Sequence, residues 1–365
     1  MKLIIAGGGT GGHIYPALAI AQALIEKNQT SSVLFIGTDQ GLEKKILALT
    51  KFPLLLIKSG QMNIQGQKIK KLFSLVKIPI GIFQSLIILL KHRPDFVLGV
   101  GGYASGPMML AAVLLSKFSK FQIAFWEPNA HPGMANRLIS KHVEKSYLVF
   151  SEAQKHLGSK KNLVLGMPLR SEIEKMTSLK PALKTFFTIL CFGGSQGSQF
   201  LNDQLSQFII DHPDLQNKIK IIHQTGPKDF QRIKDRYQNL ENVEVFDYIY
   251  NMPEYYLKSD LLFCRGGAST LAEAAVYGLV PIIIPIPAAD SHQERNAEAL
   301  VSQNAGFMIL QKDFNQNDFF NIINKLMNDP QLLNQMSQQL KTIVKIGAAN
   351  RIAEDILQSV KDKKS

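Results

Sequence analysis

The stretch LIIAGGGTGGHIYPALAIAQAL, which begins at Leu3, returns in altered form as TILCFGGSQGSQFLNDQLSQFI, which begins at Thr188. Each copy reads as an apolar strand, a Gly-Gly-Thr/Ser-x-Gly loop and a helix. Thr10 and Ser195 hold the same place in the two copies, 185 positions apart, about half the chain. A βα glycine-loop unit repeated at half the chain length predicts two similar Rossmann-like halves. The other apolar runs agree. Strand-like runs at 3–6, 33–36, 54–57, 96–100, 123–125 and 146–149 fill the first half, and runs at 188–192, 220–223, 243–245, 261–264 and 281–284 the second. Helical patterns separate them, so the fold class expected is α/β, with two parallel-sheet domains facing a cleft. The expected division is 1–165, 166–345 and a C-terminal helix at 346–365, for which a return to the first domain is one option. The expected linker, 166–184, carries Pro168, Pro181 and several charges.

A chain of 365 residues has material for two cores, and 45% hydrophobic with 19% charged residues marks it as globular. The net charge of +12 favours an anionic partner, whether nucleotide, nucleic acid or acidic membrane, and a solubilising basic surface accounts for it equally. Cys191 and Cys264 each close an apolar run and read as core thiols rather than a disulfide. No Cys/His cluster has ligand spacing, so no metal is expected. The chain opens on a strand without a basic leader, which sets a cytosolic default.

Residues 67–93, QKIKKLFSLVKIPIGIFQSLIILLKHR, depart from that default. Lys77, Pro79, Gly81, Gln84 and Ser85 interrupt the apolar run, which is marginal for a membrane span, and Pro79 is expected to split it into two helices. Lys68, Lys70, Lys71, Lys77, Lys91 and Arg93 surround it, a composition suited to the interface of an anionic bilayer. Core packing is the alternative. It fits 82–90 better, and the interfacial reading fits 69–80.

Four glycine loops follow strands: 7–12, 99–106, 193–197 and 266–267. Such loops let backbone N–H groups and a helix N-terminus approach a phosphate. Gly7, Gly9 and Gly12 satisfy the G-x-G-x-x-G dinucleotide fingerprint, with Asp39 placed for a ribose, so an NAD(P)-dependent oxidoreductase is one reading. One dinucleotide does not need four loops, whereas a donor nucleotide and a phosphorylated acceptor would use them. Tight turns account for any one of them equally well. His13 follows the first loop, where a helix dipole keeps an imidazole neutral and able to act as a base. Ala268, Ser269 and Thr270 open a helix suited to a pyrophosphate, and Glu273, a turn later, suits ribose hydroxyls. Capping is the alternative for Ser269 and Glu273. Asp290, His292, Gln293 and Asn296 form a hydrogen-bonding set suited to a sugar. Arg170 is a cation near the hinge, available to a diphosphate or to solvent.

With these residues assembled, the chain resembles the MurG family, inverting N-acetylglucosaminyltransferases of peptidoglycan synthesis with a GT-B fold. The resemblance spans nearly the full length. It is carried by GGTGGH (8–13), GTDQGLE (37–43), GVGGYASGP (99–107), GGSQGS (193–198), HQTG (223–226), CRGGASTLAE (264–273) and DSHQERNA (290–297). It implies UDP-N-acetylglucosamine (UDP-GlcNAc) as donor, lipid I (undecaprenyl-diphosphate-MurNAc-pentapeptide) as acceptor and lipid II as product, with no cofactor and no nucleic acid. Carried over, Ile249 and Glu273 would meet the uridine and ribose. Ser195 and the turn of Ala268, Ser269, Thr270, Leu271 and Ala272 would meet the diphosphate, with Arg170 nearby. Gln293 and Asn129 would meet the donor sugar, close to Thr10, Gly11 and Gly12. Gly101, Gly102, Tyr103 and Ser105 would serve the acceptor. The family's His-Glu-Gln-Asn is Trp126-Glu127-Pro128-Asn129 here, which leaves His13 and Glu127 as candidate bases. Met167 stands where the family has asparagine before Arg170. The resemblance also implies a peripheral enzyme on the cytoplasmic face of the inner membrane, held through 67–93 and associated with a cell-wall synthesis complex. A related transferase acting on diacylglycerol, and a membrane-peripheral binding protein without catalysis, are the other readings.

Overall fold

Thirteen strands among the described residues build two parallel sheets. The computed structural model describes residues 1–39, 41–60, 68–176, 185–288 and 290–364. Part of the expected linker, 177–184, and part of the basic segment, Gln67 with the side chains of 68–76, lie outside that description. The first sheet holds β1 (Lys2–Ala6), β2 (Ser32–Gly37), β3 (Leu54–Leu56), β4 (Phe96–Gly99), β5 (Gln122–Glu127), β6 (Lys145–Leu148) and β7 (Lys161–Val164), in the order β3-β2-β1-β4-β5-β6-β7. The second holds β8 (Phe187–Phe192), β9 (Ile219–Gln224), β10 (Val243–Phe246), β11 (Leu261–Cys264), β12 (Val280–Ile283) and β13 (Phe307–Met308), in the order β10-β9-β8-β11-β12-β13. The chain divides into Met1–Arg170 with Gly347–Ser365, and Ser171–Ile346.

The strands read as continuous apolar runs because helices cover both faces of each sheet. Leu3, Ile4, Ile5 and Ala6 of β1 are all buried, as are Leu261, Leu262, Phe263 and Cys264 of β11. Cys191 and Cys264 are free thiols inside the second core. In the first unit β1 lies between β2 and β4, and in the second β8 lies between β9 and β11. These are the points where the winding reverses and successive crossovers leave by opposite faces. An opening forms there beyond the carboxyl ends of the strands.

The helix expected to break at Pro79 runs unbroken from Lys68 to His92. An interior proline costs about 3 kcal/mol, and contacts on the following turn offset it. Lys58 N donates to Gln84 Oε1 at 2.7 Å, Ser85 Oγ donates to the Gly81 carbonyl at 2.7 Å, and Gly81 lies so close to the Lys58 carbonyl that a Cβ would meet it at 2.1 Å. This helix packs on the helix Ser105–Ser116. Gly81, Ser85 and Leu89 form its buried side, while Ile80, Phe83, Ile87 and Leu90 are exposed. The expectation for 82–90 is therefore half met, since one face is core and the other is open.

The C-terminal helix Ala348–Lys364 packs on the helix Gly11–Lys27 of the first unit. Asp355 fixes it there, accepting from Lys145 Nζ at 2.7 Å and from the Tyr147 hydroxyl at 2.8 Å. Arg351 Nη2 adds a 2.7 Å bond to the Leu165 carbonyl.

Candidate active site

All four glycine loops fall at the two switch points. In the first unit the loop after β1 and the loop after β4 pack on each other. Gly8 N donates to the Gly101 carbonyl at 3.2 Å. Gly102 has φ +78°, and a Cβ there would lie 2.0 Å from the Gly8 carbonyl oxygen, so only glycine permits this approach. Beneath the first loop lies Glu43, 1% exposed, with Oε1 accepting from Thr38 N at 3.4 Å and Oε2 without a partner. The sequence motif held Glu43, but nothing in the pattern gave it a role. Its burial against Gly8 and Gly41 identifies it as the support of the loop.

The helix Gly11–Lys27 begins directly from that loop, with Thr10 exposed as an N-cap that makes no side-chain bond. Gly11, Gly12 and His13 form the first turn, so backbone N–H groups open toward the loop's outer side. His13 is half-buried and rests on the second loop, where a Cβ on Gly101 would meet its Nδ1 at 2.8 Å. Nδ1 is enclosed and has no hydrogen-bond partner. Burial holds the imidazole below its ordinary pKa of 6.5, and the Val100 carbonyl only partly opposes this. His13 is therefore neutral at pH 7. Tyr103 is exposed beside the loops, and Ser59 Oγ donates to its carbonyl at 2.6 Å. Ser105 is buried at the start of its helix, turned toward Gly99, and does not present its hydroxyl to the opening.

Glu127 ends β5 and is 2% exposed. Oε1 accepts from Asn129 N and Asn129 Nδ2, both at 3.0 Å, and Oε2 from Gly133 N at 3.0 Å and Asn136 Nδ2 at 2.8 Å. Burial raises its pKa and these donors work against that rise. The neighbouring Trp126 is fully buried, and its Nε1 has no partner. Arg170, the last residue of the first unit, places its guanidinium 5.0 Å from the centre of the Tyr15 ring, two residues beyond His13.

In the second unit Ser195 is exposed at the tip of the loop after β8. Gly197, at φ +75°, closes that loop against Thr225, whose carbonyl oxygen would meet a Cβ at 1.8 Å. Gln224 braces the same region, donating to the Gly194 carbonyl at 3.0 Å and accepting from Ile249 N at 2.8 Å. The Ile249 side chain is buried. The helix Ala268–Tyr277 starts from Gly267, which brings no capping side chain, and its first turn contains no acidic residue. Ala268, Ser269 and Thr270 supply the leading N–H groups. Leu271 N is already bonded to the Gly267 carbonyl at 3.0 Å, and the side chains of Leu271 and Ala272 pack into the core. Glu273 is half-buried on the next turn and accepts from the Tyr256 hydroxyl at 2.8 Å.

The set read as sugar-binding is partly committed to the protein. Gln293 Oε1 accepts from Gly266 N and Ile286 N, both at 3.1 Å, and Asn296 Nδ2 donates to the Gly266 carbonyl at 3.1 Å. Asp290 faces His292 at 3.2 Å. Sequence reasoning also passed over Arg265, which is 9% exposed. Its Nε donates 3.0 Å to Ser198 Oγ and its Nη1 3.0 Å to the Ile284 carbonyl, joining the loops after β8, β11 and β12. A cation between a strand end and Gly-Gly was the available signal. Among the described residues no group of three or more His, Cys, Asp or Glu side chains is placed to hold a metal, and no helix is long and apolar enough to cross a membrane.

Two doubly wound parallel-sheet units, each with paired loops at its switch point, define a glycosyltransferase of the GT-B class. Residues 3–148 match the glycosyltransferase family 28 N-terminal domain and residues 188–355 its C-terminal domain, and the chain belongs to that family. It is 46% identical, over 98% of its length and 99% of the relative's, to a UDP-N-acetylglucosamine--N-acetylmuramyl-(pentapeptide) pyrophosphoryl-undecaprenol N-acetylglucosamine transferase of Bdellovibrio bacteriovorus. A transferase of the same name from Citrifermentans bemidjiense is 37% identical over 96% of this chain and 98% of its own. The crystal structure of Acinetobacter baumannii MurG superposes with a TM-score of 0.79 at 27% identity, covering 98% of this chain and 99% of that one. The oxidoreductase reading of Gly7, Gly9 and Gly12 is thereby overturned. The spacing is real, but the loop belongs to a glycosyltransferase.

Proposed function

We propose that this enzyme transfers N-acetylglucosamine from UDP-GlcNAc to the MurNAc 4-hydroxyl of undecaprenyl-diphosphate-MurNAc-pentapeptide, with inversion, and so makes lipid II. The observation that carries the chemistry is His13, a half-buried neutral imidazole packed on the second glycine loop, whose Nδ1 is enclosed, so that the other ring nitrogen is the one to meet an acceptor hydroxyl. The relatives' shared name supports the choice of donor and acceptor.

In this reading the second unit binds the donor. Glu273 accepts from the ribose hydroxyls, the backbone at Ile249 meets the uracil, and Ser195 with the N-terminus of the helix Ala268–Tyr277 meets the diphosphate, Arg170 adding positive charge. Gln293 serves the donor sugar through Nε2, its Oε1 being held by Gly266 N and Ile286 N, and Asn129, Thr10, Gly11 and Gly12 are the first-unit residues that the family resemblance assigns to the same sugar. Gly101, Gly102 and Tyr103 serve the acceptor's diphosphate side. His13 takes the proton from the 4-hydroxyl as its oxygen attacks the anomeric carbon. The bond from that carbon to the β-phosphate oxygen breaks, and its electron pair leaves with UDP. Helix N-termini and backbone N–H groups stabilise the charge on the departing diphosphate. Glu127, with all its acceptor positions engaged, shapes the 128–133 loop and is not the base. The step uses no cofactor, so a chelator of divalent ions is expected to leave turnover unchanged.

The acceptor is a membrane lipid, and the exposed stripe of Ile80, Phe83, Ile87 and Leu90, with Leu110 and Leu114 exposed on the helix beside it and Phe118 in the turn that follows, suits an interfacial position at the inner leaflet. Lys77 and Lys91 are exposed along the stripe and favour anionic lipid.

His13→Ala tests the assignment. Turnover is expected to fall by at least two orders of magnitude while UDP binding stays unchanged. Turnover near that of the unaltered enzyme would overturn it.

A further inference from the structure

Tyr256 is 2% exposed and lies outside every motif that pointed to the donor site. Its hydroxyl donates a 2.8 Å hydrogen bond to Glu273 Oε2. Burial, reinforced by the Glu273 charge, raises the phenol's pKa well above 10, so it is a donor at every working pH. The ring is fixed on both sides. It stacks on Tyr277 with centroids 5.1 Å apart and an interplanar angle of 28°, and tilts against Phe192 at 6.3 Å. Tyr277 is fixed in turn, its hydroxyl donating 2.8 Å to the Ile173 carbonyl. A glutamate on the second turn of a helix has several rotamers open to it. Here one carboxylate oxygen is bonded to a donor whose ring is packed against Tyr277 and Phe192.

We propose that Tyr256 is a positioning residue for ribose recognition. By holding Oε2, it aims the other lone pairs of the Glu273 carboxylate at the neighbouring 2′- and 3′-hydroxyls of a nucleoside diphosphate. A vicinal diol needs a carboxylate of set orientation, and ordering the side chain before binding lowers the entropy lost on binding. The inference rests on the reading that Glu273 meets the ribose. Tyr256 touches neither sugar nor phosphate, so its effect is confined to how well the ribose hydroxyls are told from hydrogens.

Calorimetry of the full-length enzyme with UDP and with 2′,3′-dideoxy-UDP tests it. The unaltered enzyme is expected to prefer UDP by tenfold or more. Tyr256→Phe keeps the ring stack, and it should weaken UDP about tenfold, leave dideoxy-UDP within twofold and so erase most of the preference. Tyr277→Phe removes a hydroxyl whose hydrogen bond goes to the Ile173 carbonyl, and should keep the preference. Thermal unfolding of both variants shows whether the fold is intact. If Tyr256→Phe weakens both ligands equally or weakens neither, the positioning role is wrong. If the unaltered enzyme binds UDP without preferring it to dideoxy-UDP, the ribose assignment of Glu273 fails first and takes the inference with it.

Discussion

Asn136 Nδ2 donates a 2.8 Å hydrogen bond to Glu127 Oε2, one of four N–H groups that converge on a carboxylate only 2% exposed. A base must have a lone pair free to take a proton, and these donors occupy both oxygens. Glu127→Gln presents an NH₂ to donors and leaves at least one of them buried and unpaired, at about 1–3 kcal/mol. Denaturant unfolding is expected to show a loss of that order, and the acid limb of the pH–rate profile should stay. Unchanged stability with abolished turnover would make Glu127 the base after all.

In the proposed mechanism His13 gives that acid limb. Its folded pKa lies below 6.5 because burial disfavours the imidazolium. A base works in its deprotonated form, so turnover should rise with pH through the lowered pKa and be level by pH 7. Rates from pH 4.5 to 8 are the check. The residual activity of His13→Ala should lose the limb, and persistence of the same limb in that variant would place the base elsewhere.

His223 is fully buried in β9, with Nδ1 on the Tyr237 hydroxyl and Nε2 on Asn202 Oδ1, both at 3.0 Å, and burial lowers its pKa to about 3. The unfolded histidine binds a proton below about pH 6.5 and the folded one only near 3. Between these values the unfolded chain holds the extra proton, so stability is lost as the pH is lowered, by up to about 1.4 kcal/mol per unit from this group. Thermal unfolding between pH 6.5 and 4.5 should therefore be steeper for the unaltered enzyme than for His223→Gln. Parallel curves would show that His223 titrates normally.

Phe83 and Phe118 are 64% and 86% exposed, so their replacement leaves the core intact. Phe83→Asp with Phe118→Asp is expected to keep the unfolding temperature within a few degrees. Co-sedimentation with phosphatidylglycerol vesicles should drop at least tenfold, and turnover on a water-soluble acceptor analogue should be unaffected. Equal vesicle binding by the two proteins would rule out the stripe as the membrane face.

The central strands of both sheets were legible because parallel strands covered on both faces are unbroken apolar runs. β7, with Lys161 and Asn162, and β13, with two residues, were not, since edge strands need less burial. Pro79 misled because local propensity says nothing of the contacts made by Gly81, Gln84 and Ser85. The glycine loops were visible, since positive φ and close approach demand that residue type. What could not be read was which polar side chains of a loop are spent inside the protein. In sequence the whole of Gln293 and Asn296 looks available to a sugar, yet Gln293 Oε1 and Asn296 Nδ2 brace Gly266. Glu43 and Arg265 matter through tertiary contacts that carry no periodicity.

Transfer of labelled sugar from UDP-GlcNAc, assayed in parallel with lipid I and with diacylglycerol, tests the central claim most directly. The expected result is one UDP released per lipid I consumed and a β-linked disaccharide at the MurNAc 4-oxygen, with diacylglycerol left unreacted. Transfer to diacylglycerol but not to lipid I, or no transfer to lipid I by folded enzyme that binds UDP, would contradict it.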